Sequence, residues 1–104
     1  MTNEMNAWVN QAHARARALA ELRDAKFTTT SPTHIGGAYV IDIDGRHAIA
    51  QFVAWSGGAS EATILDIGTE QRVYFRESPA STENLDQLYG EFLVALRRAE
   101  CAVP

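Results

Sequence analysis

An α+β fold of two layers is what this sequence predicts: a four-stranded antiparallel meander with a helix on either side in sequence (α-β-β-β-β-α) and both helices on one face of the sheet. Three observations predict it. From Tyr39 to Phe75, runs rich in β-branched and aromatic residues alternate with tight-turn sequences at Asp44-Gly45, Ser56-Gly57-Gly58-Ala59 and Gly68-Thr69. On either side, over residues 4–26 and 78–100, apolar residues recur at three- and four-residue steps. The chain has 104 residues, enough for one hydrophobic core and not for two, so both helices are expected to close the same sheet face in a single domain spanning 1–104.

In the first helical segment Met5, Trp8, Val9, Ala12, Ala16, Leu19 and Leu22 fall on one face, with Asn3 placed as N-cap. Arg15, Arg17, Arg23 and Lys26 interleave with Glu21 and Asp24 on the solvated side. Phe27-Thr-Thr-Thr-Ser-Pro-Thr-His-Ile-Gly-Gly37 carries a proline and paired glycines and reads as a surface loop, with no P-loop pattern and no following helix to bind phosphate.

A two-residue turn at Asp44-Gly45 pairs Ile43 with Arg46 and Ile41 with Ala48. Tyr39, Ile41, Ile43, Ala48, Ala50, Phe52 and Ala54 then share the face that the helices cover, while Asp42, Gln51, Val53 and Trp55 share the opposite one. The third run gives Ala62 and Ile64 to one face and Glu61, Thr63 and Leu65 to the other. The fourth run sets Val73 and Phe75 against Arg72, Tyr74 and Arg76; if Trp55 and Tyr74 share the open face, it also carries Asp42, Glu61 and the two arginines, the alternative being a face partly covered by a helix end or by the loop at 27–37. Aromatic anchors among charges make a surface of the kind proteins present to partners. In the last segment Ser81 is placed as N-cap, with Glu83 and Asp86 at the positive end of the dipole and Arg97 and Arg98 at the negative end. Leu85, Leu88, Tyr89, Phe92, Leu93, Leu96 and Ala99 form its apolar stripe.

Composition narrows the function classes. Hydrophobic residues make up 46% of the chain and charged residues 21%, the balance of a globular protein. The single cysteine, Cys101, cannot close an internal disulfide and sits in a tail without the setting of a nucleophile, which fits a reducing cytoplasm. No signal peptide or membrane-spanning run is read in the sequence. The formal charge of −4 is uneven: residues 1–26 carry four basic and three acidic groups, residues 27–96 three basic and nine acidic. Such a field repels phosphate backbones and attracts basic proteins, so a protein partner is expected and direct nucleic-acid binding is not.

Catalytic and metal signatures are missing from the pattern. Asp42-Ile-Asp44-Gly45 begins like a calcium loop, but Val53 stands where that loop needs its glutamate. His13, His34 and His47 have no ligand spacing and read as surface residues, and no Gly-x-Ser-x-Gly elbow is present. The expectation is a non-enzyme with no cofactor and no metal.

The order of pieces resembles the TriTu family of bacterial immunity proteins, antitoxins encoded beside polymorphic toxins. The resemblance rests on the Trp8 helix, Val40-Ile-Asp-Ile-Asp44, Ala50-Gln-Phe-Val-Ala-Trp55-Ser-Gly-Gly, Ala62-Thr-Ile-Leu-Asp-Ile67, Val73-Tyr-Phe and the final amphipathic helix. It implies a cytoplasmic protein, a monomer or weak homodimer, that binds the C-terminal toxin domain of a cognate protein stoichiometrically. Asp42, Asp44, Gln51, Val53, Trp55, Glu61, Thr63, Asp66, Tyr74 and Arg76 are the candidate partner-binding residues, with Trp55 and Tyr74 as anchors and the acids set to meet basic groups. Two other readings stay open on the residues alone: an acidic secretion chaperone or adaptor that holds an effector segment, and a small-ligand-binding domain using the aromatic face.

Overall fold

Every strand pairs with its neighbour in sequence. In the computed structural model, which describes residues 2–32, 37–55, 58–79 and 85–101, the strands are β1 (Lys26–Thr30), β2 (Ala38–Asp44), β3 (Ala48–Trp55), β4 (Ser60–Asp66) and β5 (Arg72–Ser78). They form one antiparallel sheet in the order β1-β2-β3-β4-β5. Helices α1 (Thr2–Arg17) and α2 (Leu85–Cys101) lie before and after it, with a 3-10 turn at Ala20–Leu22. The α+β class, the antiparallel meander and the flanking helices agree with the sequence reading; the fifth strand does not.

That strand occupies part of the expected loop. Lys26–Thr30 pairs with β2, Phe27 opposite Ile43 and Thr29 opposite Ile41, because a phenylalanine and three β-branched threonines suit a pleated edge. Pro32, which cannot donate to a ladder, follows its end. The expected first helix is correspondingly too long. α1 stops at Arg17 and Leu19 is extended, at φ −78 and ψ 129. Sixteen helical residues already span about 24 Å, close to the length of the eight-residue β3 at about 3.3 Å per residue. Continuing to Lys26 would carry the chain past the sheet, whereas the break tucks the buried Leu22 beneath α2. The Asn3, Ser81 and Glu83 capping expectations and His34 lie outside the described residues or side chains.

The first hairpin turns at Arg46-His47, not at Asp44-Gly45: Ile43 opposes Ala50, Ile41 opposes Phe52, and Gly45 N–H donates to Ala48 O at 2.8 Å. Each partner stands four places further along than a turn at Asp44-Gly45 gives. An even shift preserves the faces, and Tyr39, Ile41, Ile43, Ala48, Ala50, Phe52 and Ala54 are all buried.

Phe52 centres the core. Its ring lies 5.9 Å from Trp8 of α1, and 5.1 and 5.4 Å from Tyr89 and Phe92 of α2. One sheet residue therefore meets both helices, which fixes them on the same face. Offset and edge-on ring pairs of this kind add about 0.5–1.5 kcal/mol each beyond the area they bury. The helices are also joined directly, Tyr89 Oη donating to Ala12 O at 2.7 Å and Trp8 Nε1 to Asp86 Oδ1 at 2.6 Å, while Arg97 of α2 donates to both carboxylate oxygens of Glu21 in the 3-10 turn at 3.1 and 3.0 Å.

Candidate functional site: the open face of the sheet

Antiparallel pairing arranges the residues opposite the helices into rows across the strands. One row reads Lys26, Asp44, Ile49, Leu65, Arg72; the next Thr28, Asp42, Gln51, Thr63, Phe75; a third Thr30, Val40, Val53, Glu61, Glu77; and Ala38 with Trp55 begins a fourth. No described element covers this face. Ile49, Leu65 and Phe75 are exposed on it, Trp55 is half-buried, and Val53, between Val40 and Glu61, is buried. Arg72 stacks on Phe75, its guanidinium carbon 4.4 Å from the ring centre, and Gln51 Nε2 donates to Asp42 Oδ1 at 3.0 Å. The face thus offers an apolar middle, four carboxylates (Asp42, Asp44, Glu61, Glu77) and two cations (Lys26, Arg72).

Seven of the ten sequence candidates stand together here: Asp42, Asp44, Gln51, Val53, Trp55, Glu61 and Thr63. Tyr74, Arg76 and Asp66 do not. A β-bulge explains the first two. Leu65 opposes Arg72, as a tight turn requires, but Ile64 opposes Tyr74, so Val73 is an extra residue and every side chain beyond it changes face. Tyr74 and Arg76 accordingly lie on the helix side, where Arg76 Nη1 bonds Glu91 Oε1 of α2 at 2.8 Å. Burial, followed by the charge of Glu91, pushes the Tyr74 phenol up from its ordinary value. Phe75 takes the open-face position expected of Tyr74. Asp66 ends β4 on the helix side, opposite Ala48, and holds the β4–β5 turn through Thr69 N–H at 2.8 Å and Thr69 Oγ1 at 2.9 Å. The backbone bond first and the hydroxyl second keep its carboxyl below the usual aspartate value.

Ile49, Leu65, Phe75 and Glu77 belong to the face and were not among the candidates. The alternation that selected Gln51 and Thr63 also selects Ile49 and Leu65, so those two were readable; Phe75 and Glu77 were hidden by the bulge. His13, expected at the surface, is half-buried with its ring 5.5 Å from Phe27, and its Nε2 has no hydrogen-bond partner among the described residues. Also among the described residues, no three His, Cys, Asp or Glu side chains are grouped to hold a metal, and no helix is long and apolar enough to cross a membrane.

The charged residue with the most structural consequence is Glu100. Buried at the end of α2, it accepts the backbone N–H groups of Arg46, His47 and Ala48 at 3.0, 3.0 and 2.8 Å. It caps the hairpin turn that sets the β2–β3 register, and so the rows of the open face.

Comparison with known proteins gives one family: the model of the immunity protein TriTu matches residues 3–95, from α1 through most of α2. No curated protein matches the chain.

Proposed function

We propose that this chain, which belongs to the TriTu family of immunity proteins, is a cytoplasmic antitoxin that acts by binding rather than by catalysis, with the open sheet face as its contact surface for a cognate toxin domain. The observation that carries the reading is the uncovered face itself. Both helices lie on one side of the five-stranded sheet and no described element covers the other, which combines exposed apolar groups with an excess of carboxylates. Exposed apolar surface among charges is the composition of a recognition surface.

The charges favour a basic partner. Glu61 stands directly opposite Glu77, an arrangement that repels itself and is relieved when a cation is brought between them. Trp55 lines the same shallow recess, so a partner's arginine or lysine there would meet two carboxylates and an aromatic ring. Asp42 and Asp44 extend the negative field along β2 and speed encounter with a positively charged toxin. Trp55, Ile49, Leu65 and Phe75 supply the apolar contact. The complex is stoichiometric, and neutralisation follows from covering the toxin's active site or holding it in an inactive shape.

The test is protection and titration calorimetry with the toxin domain encoded beside the gene. Trp55→Ala, folded by circular dichroism, is expected to weaken binding about thirtyfold, the loss of about 2 kcal/mol typical of a central aromatic anchor. Asp42→Lys is expected to slow association most at low salt. If both variants fold, bind and protect like the parent, the open face is not the contact surface.

A further inference from the structure

We infer that β5 is a self-pairing edge, and that two copies of this chain join through it into a continuous ten-stranded sheet. β5 is the last strand of the sheet, and no described element pairs with its outer side. Exposed apolar groups gather along that edge: Val73 is 56% exposed, Phe75 44% and, on the neighbouring face of α2, Val94 49%. Val73 and Val94 line a groove of about 480 Å³ between the strand and the helix. The opposite edge differs. β1 is shorter, five residues against seven, and none of the exposed large hydrophobic residues lies on it.

The sequence of β5 selects both the occupant and the register. In an antiparallel pair of identical strands related by a twofold axis, opposed residues share a sheet face, so the axis passes through a residue and not between two. Centring on Tyr74 sets Arg72, across the bulge, opposite the partner's Phe75, so neither arginine of the strand gains an opposed acid. Centring on Arg76 opposes that arginine with its own copy. Centring on Phe75 pairs the strand from Arg72 to Glu77 without one like-charge opposition. Phe75 meets the partner's Phe75, Tyr74 meets the partner's Arg76 and, Val73 being the extra residue of the bulge, Arg72 meets the partner's Glu77 on the open face. The two pairs nearest the axis lie in the regular part of the strand, past the bulge. With the axis perpendicular to the sheet, both α2 helices stand on one side, each Val94 facing the junction, and both open faces stand on the other as one doubled surface. This assembly does not depend on what the open face binds.

Sedimentation equilibrium of the chain alone at high micromolar concentration is expected to give twice the 11.4 kDa chain mass. Phe75→Arg, which puts like charges on the axis, and Val94→Glu, an exposed helix substitution that leaves the core alone, are each expected to return the monomer with an unchanged circular dichroism spectrum. A cysteine test reads the register. In a Cys101→Ser background, Phe75→Cys is expected to form an intermolecular disulfide on mild oxidation, because directly opposed Cα atoms about 4.5–5.5 Å apart fall within disulfide range. Glu77→Cys, more than about 13 Å from its own copy in this register, is expected to cross-link far more slowly. A parent that stays monomeric, a dimer that survives both Phe75→Arg and Val94→Glu, or equal cross-linking at positions 75 and 77 overturns the inference.

Discussion

The carboxylate of Glu100 fills the space that a side chain at Gly45 would need: a Cβ built on Gly45 overlaps Glu100 Oε2, while the same carboxylate holds three successive backbone N–H groups of the adjoining turn. Glycine is required here for close approach, not for an unusual backbone angle, since Gly58 is the glycine with positive φ among the described residues. Glu100→Gln is expected to destabilise by about 1.5–3 kcal/mol, because the amide nitrogen turns a donor toward donors. Gly45→Ala is expected to cost a comparable amount by pushing the carboxylate away. Since each change breaks the same contact, the double variant should cost clearly less than the sum in urea melts; strict additivity would refute the coupling.

Alkaline stability should depend on Tyr89. Burial pushes its phenol well above the ordinary value of 10, with Arg15 over the ring opposing the shift in part. The folded state therefore keeps a proton that the unfolded chain releases near pH 10. This contribution is complete below pH 10 and is lost as pH rises above it toward the folded-state value. Tyr89→Phe removes the bond to Ala12 O and should cost about 1 kcal/mol at neutral pH, but its stability should fall less between neutral and strongly alkaline pH. Denaturant midpoints across that range decide it.

Asp66 gives the acid counterpart. Its carboxyl titrates below the ordinary 3.8, so its contribution is present above that pH and is lost as pH falls through the folded-state value. Thr69→Val removes the hydroxyl bond and keeps the larger backbone one. The Asp66 carboxyl shift, followed by NMR, should then have its midpoint move up toward 3.8 without reaching it. No movement would show that the hydroxyl plays no part.

Glu70 adopts the left-handed conformation at φ 59 where its N–H closes the β4–β5 turn onto Asp66 O. A side chain there costs about 1–2 kcal/mol, while glycine gives back about 0.5–1 kcal/mol in unfolded-chain freedom. Glu70→Gly should therefore stabilise by about 0.5–1 kcal/mol, visible as a raised thermal midpoint.

What the sequence made legible was parity. The Asp44-Gly45 signal placed the first turn two residues early, yet Ile41, Ile43 and Phe52 were assigned to the right face because the register error was even. At β5 one unpaired residue, Val73, made the error odd, and Tyr74 and Phe75 exchanged sides. A bulge leaves little trace in a single sequence, since Arg72-Val-Tyr-Phe-Arg76 alternates equally well in either phase. β1 was obscured by composition, its threonines standing beside a proline and glycines that dominate loop statistics. Glu100 was invisible for a different reason. A glutamate beside two arginines and a cysteine at the end of a helix reads as solvated charge, and only the returning hairpin makes it an interior ligand for backbone. The membership of the open face was therefore mostly readable, and the aromatic residue at its β5 edge was not.

The aromatic cluster has a consequence for biosynthesis. Phe52 lies mid-chain, Trp8 near the beginning, and Tyr89 and Phe92 near the end. As the protein leaves the ribosome its five strands can meet in order, each with the one just made, while α2 is still being translated. Until α2 emerges, the nascent sheet shows apolar side chains on both faces, one half-covered by α1. In that interval the core face is at its most exposed, and a chain cut short before Tyr89 would lack the rings that close over Phe52.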